Sequence, residues 1–291
     1  MAAPRAAGHN QPMAPRASLL VVLAATLAAC PGETPFYDDD IGVQAIPAPP
    51  GSHAGTFALK TRNQTLVHVP LLGDYDGGGD NLRLVTRTWD EESESYEQTS
   101  LLCGGYNFEV AGVVTEAPRS TYQAVPASTQ ETVTINHDSG TYVAIGHLQL
   151  WALRDLPDPY GTELPTTKEE AAASPWSERI YDMDDDGNPA MTLYVSGAVE
   201  GEVYAFQRKT VDLDGVILGP DHAVGLAHNT NEALTVAANN PLVDRQSEGS
   251  SEPHPDSKRS FFEEVRIAEG ASCDDVLRAA EDGTLPELPP F

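Results

Sequence analysis

Thr141–Leu153 reads TYVAIGHLQLWAL, the longest apolar strand candidate in the chain. Its alternate residues are apolar on both faces, which places it centrally in a sheet or in a barrel wall. Just upstream, Glu131–Asn136 puts Val133 and Ile135 on one face, and Asp138-Ser139-Gly140 makes the turn between the two segments. Working outward, further strand candidates cover Thr56–Thr61, Leu66–Leu72, Asn81–Trp89, Thr99–Cys103, Tyr106–Val114 and Thr121–Val125 before it. Met191–Val199, Gly201–Lys209, Val216–Leu218, Ala223–His228 and Ala233–Ala238 follow it, and Phe261, Val265 and Ile267 mark a last strand. Asp90–Glu97 reads as a hairpin tip, and Gly104-Gly105, Glu200-Gly201 and Asp212–Gly215 as turns. Helix signals are few: one or two turns at Thr167–Ala173, and residues 274–281 (DDVLRAAE), whose first-turn acids complement the helix dipole. The expected fold is all-β, an antiparallel barrel or sandwich with a short C-terminal helix.

The N-terminal stretch sets the compartment. Residues 1–17 carry Arg5 and Arg16 and no acid, and Ser18–Ala29 (SLLVVLAATLAA) is apolar. That run is too short to span ~30 Å of hydrocarbon but suits a secretory signal. It ends Leu27-Ala28-Ala29-Cys30, which resembles the lipobox of bacterial lipoproteins. The resemblance covers only the first 30 residues. It implies cleavage after Ala29, acyl chains on Cys30 and anchoring to a membrane, each buried methylene contributing about 0.8 kcal/mol. Pro31 follows in place of the Asp associated with inner-membrane retention, so the resemblance implies an outer-membrane or cell-surface location.

With residues 1–29 removed, 262 residues remain, and the net charge moves from −27 to near −29, because the leader holds two arginines and no acid. Such a surface repels nucleic acid, excludes it as a partner, and attracts divalent cations. Residues 30–52 read as a Pro-rich acidic tether, residues 53–282 as one β-rich domain with long loops at 154–179 and 246–258, and residues 283–291 as a tail. Once Cys30 is assigned to lipid, Cys103 and Cys273 remain, and an even pair in an oxidising compartment predicts a disulfide.

Two acidic segments stand out, Asp74–Asp80 and Asp182–Pro189. Asp74, Asp76 and Gly79 match Asp182, Asp184 and Gly187, the pattern of a duplicated β unit. Asp182, Asp184 and Asp186, with the Asn188 carbonyl, follow the first half of a calcium loop; the position of its bidentate Glu is Leu193. The segment is either a calcium-stabilised β turn or a solvated Asp/Gly turn.

No nucleophile elbow, zinc-protease, C-x-x-C or P-loop motif is present. His222 and His228, with Glu232, flank one strand candidate and either meet a metal or are structural or solvent-facing histidines, and His147 lies in the central strand, either facing a barrel interior or as a satisfied core histidine. Tyr106, Phe108, Tyr142, Trp151, Tyr194, Tyr204 and Phe206 either fill a core or line a barrel cavity. Three functions stay open: a non-catalytic binding or surface role at the envelope, an envelope hydrolase whose site is built from the two long loops, and a barrel carrier of a small apolar ligand.

Overall fold

A computed structural model describes residues 45–69, 73–246 and 250–285. The predicted signal peptide and Cys30 lie outside the described residues. Eleven strands dominate the described chain: β1 (Gly55–Val69), β2 (Gly73–Asp90), β3 (Ser95–Asn107), β4 (Val113–Glu116), β5 (Ser128–Ile135), β6 (Thr141–Trp151), β7 (Met191–Gly197), β8 (Gly201–Gly219), β9 (His222–Ala238), β10 (Ser250–Pro253) and β11 (Phe261–Arg266). Every pairing among them is antiparallel. Eight strands close a ring in the order β1-β2-β3-β5-β6-β8-β9-β11, and β11 returns to β1. Each member pairs with the next member along the chain, so the fold is an up-and-down barrel. The remaining three strands extend its wall at one end. β7 pairs with β8 over Gly201–Ala205, beyond the reach of β6, and carries β4 on its other edge. β10 pairs with β1 over Thr65–His68, beyond the reach of β11.

The central segment is a ring strand, with one of its two apolar faces buried and Val143 and Ile145 exposed on the other. β6 lies between β5 and β8, with Tyr142 and Ala144 inside the ring. Phe57, Leu59, Val85, Val133, Leu213 and Phe262 join them in a cluster that fills one end of the barrel. Chain preceding β1 closes this end: the Ile46 N–H donates to the Ile217 carbonyl (2.9 Å), the Ala48 N–H donates to the His137 carbonyl (3.0 Å), and Ala48 is buried in the cluster. The last part of the acidic stretch 30–52 is therefore barrel structure.

Outside the ring, α5 (Cys273–Glu281) lies across β1–β3, packing Val276 and Ala279 on Ala58, Leu82 and Cys103. A Ser272–Asp275 capping box starts the helix. Cys103 and Cys273 are bonded, with Cα atoms 5.0 Å apart and 170 residues between them. Within the 154–179 connection the expected helical turns at Thr167–Ala173 form α2 (Lys168–Ala172), opened by a Thr167–Glu170 capping box, and α3 (Trp176–Arg179) follows. Its Leu156 and Ala171 pack with Trp151, Met183 and Phe206. Among the described residues, no helix is long and apolar enough to cross a membrane.

Three expectations need correction. Thr121–Val125 falls largely in α1 (Arg119–Ala124), after Pro118 at its N-cap, and is not a strand. Gly104-Gly105 and Asp212–Gly215 are not turns; they lie inside β3 and β8. Asp74–Asp80 is not a turn either, because it runs within β2 opposite Arg62–His68 of β1, which removes the proposed repeat with the Asp182 segment. Glycine marks close approach here. Gly215 faces Gly225 across β8 and β9, and a Cβ on Gly215 would stand 2.1 Å from the Val224 carbonyl oxygen.

A cavity with a cationic floor

The end of the barrel away from the packed cluster holds a cavity of about 1010 Å³. Ligand pockets run from about 300 to 1,000 Å³, so the volume suits a sizeable small molecule. Strand alternation explains its lining. On β8, Leu213 and Val211 point into the packed core; Lys209, Gln207 and Ala205, further along the same face, line the cavity. On β2, Val85 belongs to the core and Asn81 lines the cavity, with Arg83 between them on the same face. Lys209 pairs in register with Gln149 on β6 and Asn231 on β9, so three polar side chains meet at one level of the floor. Val67, Trp151, Leu164, Leu193, Val203 and Leu234 supply apolar wall, interspersed with polar residues such as Thr65, Thr167, Lys168 and Glu169.

A buried hydrogen-bond network runs beneath this floor. The Arg87 guanidinium donates to both Glu264 oxygens (3.0 and 2.9 Å), to the Tyr142 hydroxyl (2.9 Å) and to Gln98 Oε1 (2.8 Å). His53 Nε2 adds a 3.0 Å contact to Glu264. The Gln98 amide donates to Glu131. His147 Nδ1 meets Glu131 Oε1 at 2.6 Å, its Nε2 meets the Gln149 amide at 2.9 Å, and Trp151 Nε1 donates to Gln149 Oε1 at 3.3 Å. These partners fit a neutral imidazole that donates from Nδ1 and accepts at Nε2.

The electrostatics agree with that tautomer. Burial, then the nearby Arg83 charge, pull His147 down to about 4. Burial alone would raise Glu131 and Glu264. The hydrogen bond from His147, with the Arg83 charge, outweighs it at Glu131, and Arg87 and His53 do so at Glu264, so both stay well below the usual carboxylate range. Arg83 and Lys209 are different. None of the three Arg83 guanidinium nitrogens has a hydrogen-bond partner among the described residues, and the side chain is fully buried. Burial lowers its pKa despite the fields of Glu131 and Glu264. Burial, then Arg83, push the Lys209 ammonium down to about 7.

The sequence-derived candidates fall elsewhere. Asp182, Asp184 and Asp186 do come together, with one carboxylate oxygen of each within 4.8 Å of the others. Those oxygens also cap the turn: Asp182 accepts from the Gly187 N–H (2.8 Å), Asp184 from the Thr192 N–H (2.9 Å), and Asp186 from the Asn188 N–H (2.8 Å) and the Thr192 hydroxyl (2.5 Å). Burial, with the adjacent Asp186 charge, lifts the Asp184 carboxyl. The histidine grouping does not form. His222 meets Glu263 at 2.7 Å, Glu232 is held by Arg208, and His228 is exposed. Of the seven aromatics, Phe108, Trp151 and Phe206 line the cavity, Tyr142 is core, and Tyr106 and Tyr194 are 45% and 48% exposed. Sequence reasoning missed Arg83 and Lys209. The signal was their shared face with Val85 and with Val211 and Leu213.

No family model and no curated protein matches this chain. Among solved structures, it is similar to DynF from the dynemicin biosynthesis pathway of Micromonospora chersina, at 15% identity, covering 81% of this chain and 93% of that one, with a TM-score of 0.27. A likeness that loose carries no argument about function.

Proposed function

We propose that this protein binds a small molecule inside its barrel and does so at a bacterial cell envelope, held there by lipid on Cys30. The observation that carries the binding role is the cavity: one end of an antiparallel ring holds an open-mouthed space of about 1010 Å³ lined by apolar side chains together with polar groups, among them Asn81, Gln149, Lys209 and Asn231. That combination is the usual make-up of a ligand site. A barrel with only a structural role has no need for such a space, because interiors otherwise pack to near-crystalline density. The Leu27-Ala28-Ala29-Cys30 motif supports the envelope location, and the Cys103–Cys273 bond fits an oxidising compartment.

The uncharged dye N-phenyl-1-naphthylamine tests the binding role. Its fluorescence rises on transfer to an apolar cavity, so titration into the protein gives a saturable increase. Ala233→Trp places a large side chain on the cavity wall and abolishes that increase. A dye response that survives the tryptophan, or none in the unaltered protein, overturns the reading. For the anchor, Cys30→Ala abolishes acylation and releases the protein from membranes; unchanged membrane retention refutes it.

A further inference from the structure

We propose that the cavity takes an amphiphile with one anionic head group, the head seated at Lys209 and the tail along the apolar wall. This deepens the small-molecule reading above and rests on it. Three cationic side chains point into the ring, Arg83, Arg87 and Lys209, against two carboxylates, Glu131 and Glu264. Glu264 is engaged by Arg87 in a two-pronged contact, and Glu131 is hydrogen-bonded by His147 and Gln98. Both acids are therefore satisfied without help from Arg83 or Lys209.

The Arg83 guanidinium is fully buried with no hydrogen-bond partner among the described residues, and neither it nor the partly buried Lys209 ammonium has a side-chain ion pair there. They stand close enough for the Arg83 charge to depress the Lys209 ammonium. Two carboxylates do line the cavity. Glu232 is bound by the Arg208 guanidinium at 2.7 Å, and Glu169 belongs to α2. A chain with 44 acidic residues has thus left its two adjacent interior cations without an acidic partner in hydrogen-bond reach.

Burying an unpaired cation such as Arg83 is costly, and buried charges are ordinarily matched; Lys209 is partly buried and faces the cavity. The packed cluster at the other end of the ring does not call for them. An anion at Lys209 supplies the missing acceptor and relieves the repulsion between the two cations. Asn81, Asn231 and Gln149 bring amide groups to the same floor, where each offers donors to an oxyanion. Among the polar lining residues, Leu193, Val203 and Leu234 form an apolar strip that suits an alkyl tail.

Calorimetric titration of the purified protein with decanoate, decyl phosphate and decan-1-ol tests the head-group assignment, since the three share one tail. The expected result is that an anion binds at least tenfold more tightly than the alcohol, and the tighter of the two anions identifies the head. In Lys209→Met the advantage falls below threefold, and Lys209→Arg restores it. Near-ultraviolet circular dichroism checks that both variants keep the barrel. Equal binding of anion and alcohol, or an advantage that persists in Lys209→Met, overturns the proposal and leaves the two cations as hydrated interior groups. Dye and alcohol binding without an anion preference sinks only this proposal. Failure of dye, alcohol and anions alike sinks the small-molecule reading with it.

Discussion

Replacing Lys209 by methionine should make the barrel more stable. The methionine keeps the unbranched apolar stem and removes the charge. In the unfolded chain the ammonium titrates near its ordinary 10.5; in the barrel it is pushed down to about 7. Each tenfold loss of proton affinity corresponds to about 1.4 kcal/mol. Lys209 is only partly buried and meets solvent in the cavity, so at pH 7 this shift costs about 2 kcal/mol rather than its full value. Folding stability rises with pH wherever the unfolded state binds more protons. For Lys209 that holds between about 7 and 10.5, so its penalty is full below pH 7, shrinks through this window and vanishes above it. Urea unfolding of both proteins at pH 6, 8 and 10 reads the effect. The variant should be the more stable by about 2 kcal/mol at pH 6, with the gap closing by pH 10. A variant less stable than the parent, or a gap that ignores pH, refutes the reasoning.

Arg87→Met strands the Glu264 carboxylate and should cost about 3–5 kcal/mol in urea unfolding, and adding Glu264→Gln should recover part of that loss in a double-mutant cycle. Breaking the 170-residue loop with Cys103→Ala and Cys273→Ala should lower stability by up to about 5 kcal/mol, with far-ultraviolet circular dichroism unchanged. Thermal unfolding in 1 mM calcium and in chelator tests the Asp182–Asp186 cluster. An ion bound with a dissociation constant of about 0.1 mM adds about 1.4 kcal/mol, lost in Asp184→Asn; equal melting temperatures leave the carboxylates as turn caps.

Much of the barrel was legible in the sequence because its strands announce themselves locally. The two-sided apolar pattern of Thr141–Leu153 marked a ring member, and the acidic first turn of 274–281 marked α5. Turns were over-read, because a glycine signals either a bend or a close approach of two backbones, and Gly104, Gly105 and Gly215 serve inside strands. The disulfide followed from counting cysteines. The site was harder to see. Arg208 and Lys209 are neighbours with the same charge, yet one is held by Glu232 and the other meets the cavity. Only the parity of β8, traced from Leu213 through Val211, separates them, and that parity acquires meaning once the ring is closed. Arg83 is hidden likewise between Leu82, which faces α5, and Leu84. The buried carboxylates gave no signal in a chain so rich in acids.

Ring closure also imposes an order of events on folding. Counting ring strands alone, every pair of neighbours is consecutive along the chain except β11 with β1, joined through Phe57 opposite Arg266. Contacts that bridge so much chain form late, because closing a long loop must precede any gain from the contacts it permits. As the chain emerges, β1 to β9 can assemble as a curled sheet, but its first and last strands stay unpaired until Phe261–Arg266 appears. Cys273 lies beyond that strand, so the covalent bond cannot form until the chain that closes the barrel has been made. Until that moment the nascent chain is a sheet with two sticky rims, open to pairing with a second copy of itself.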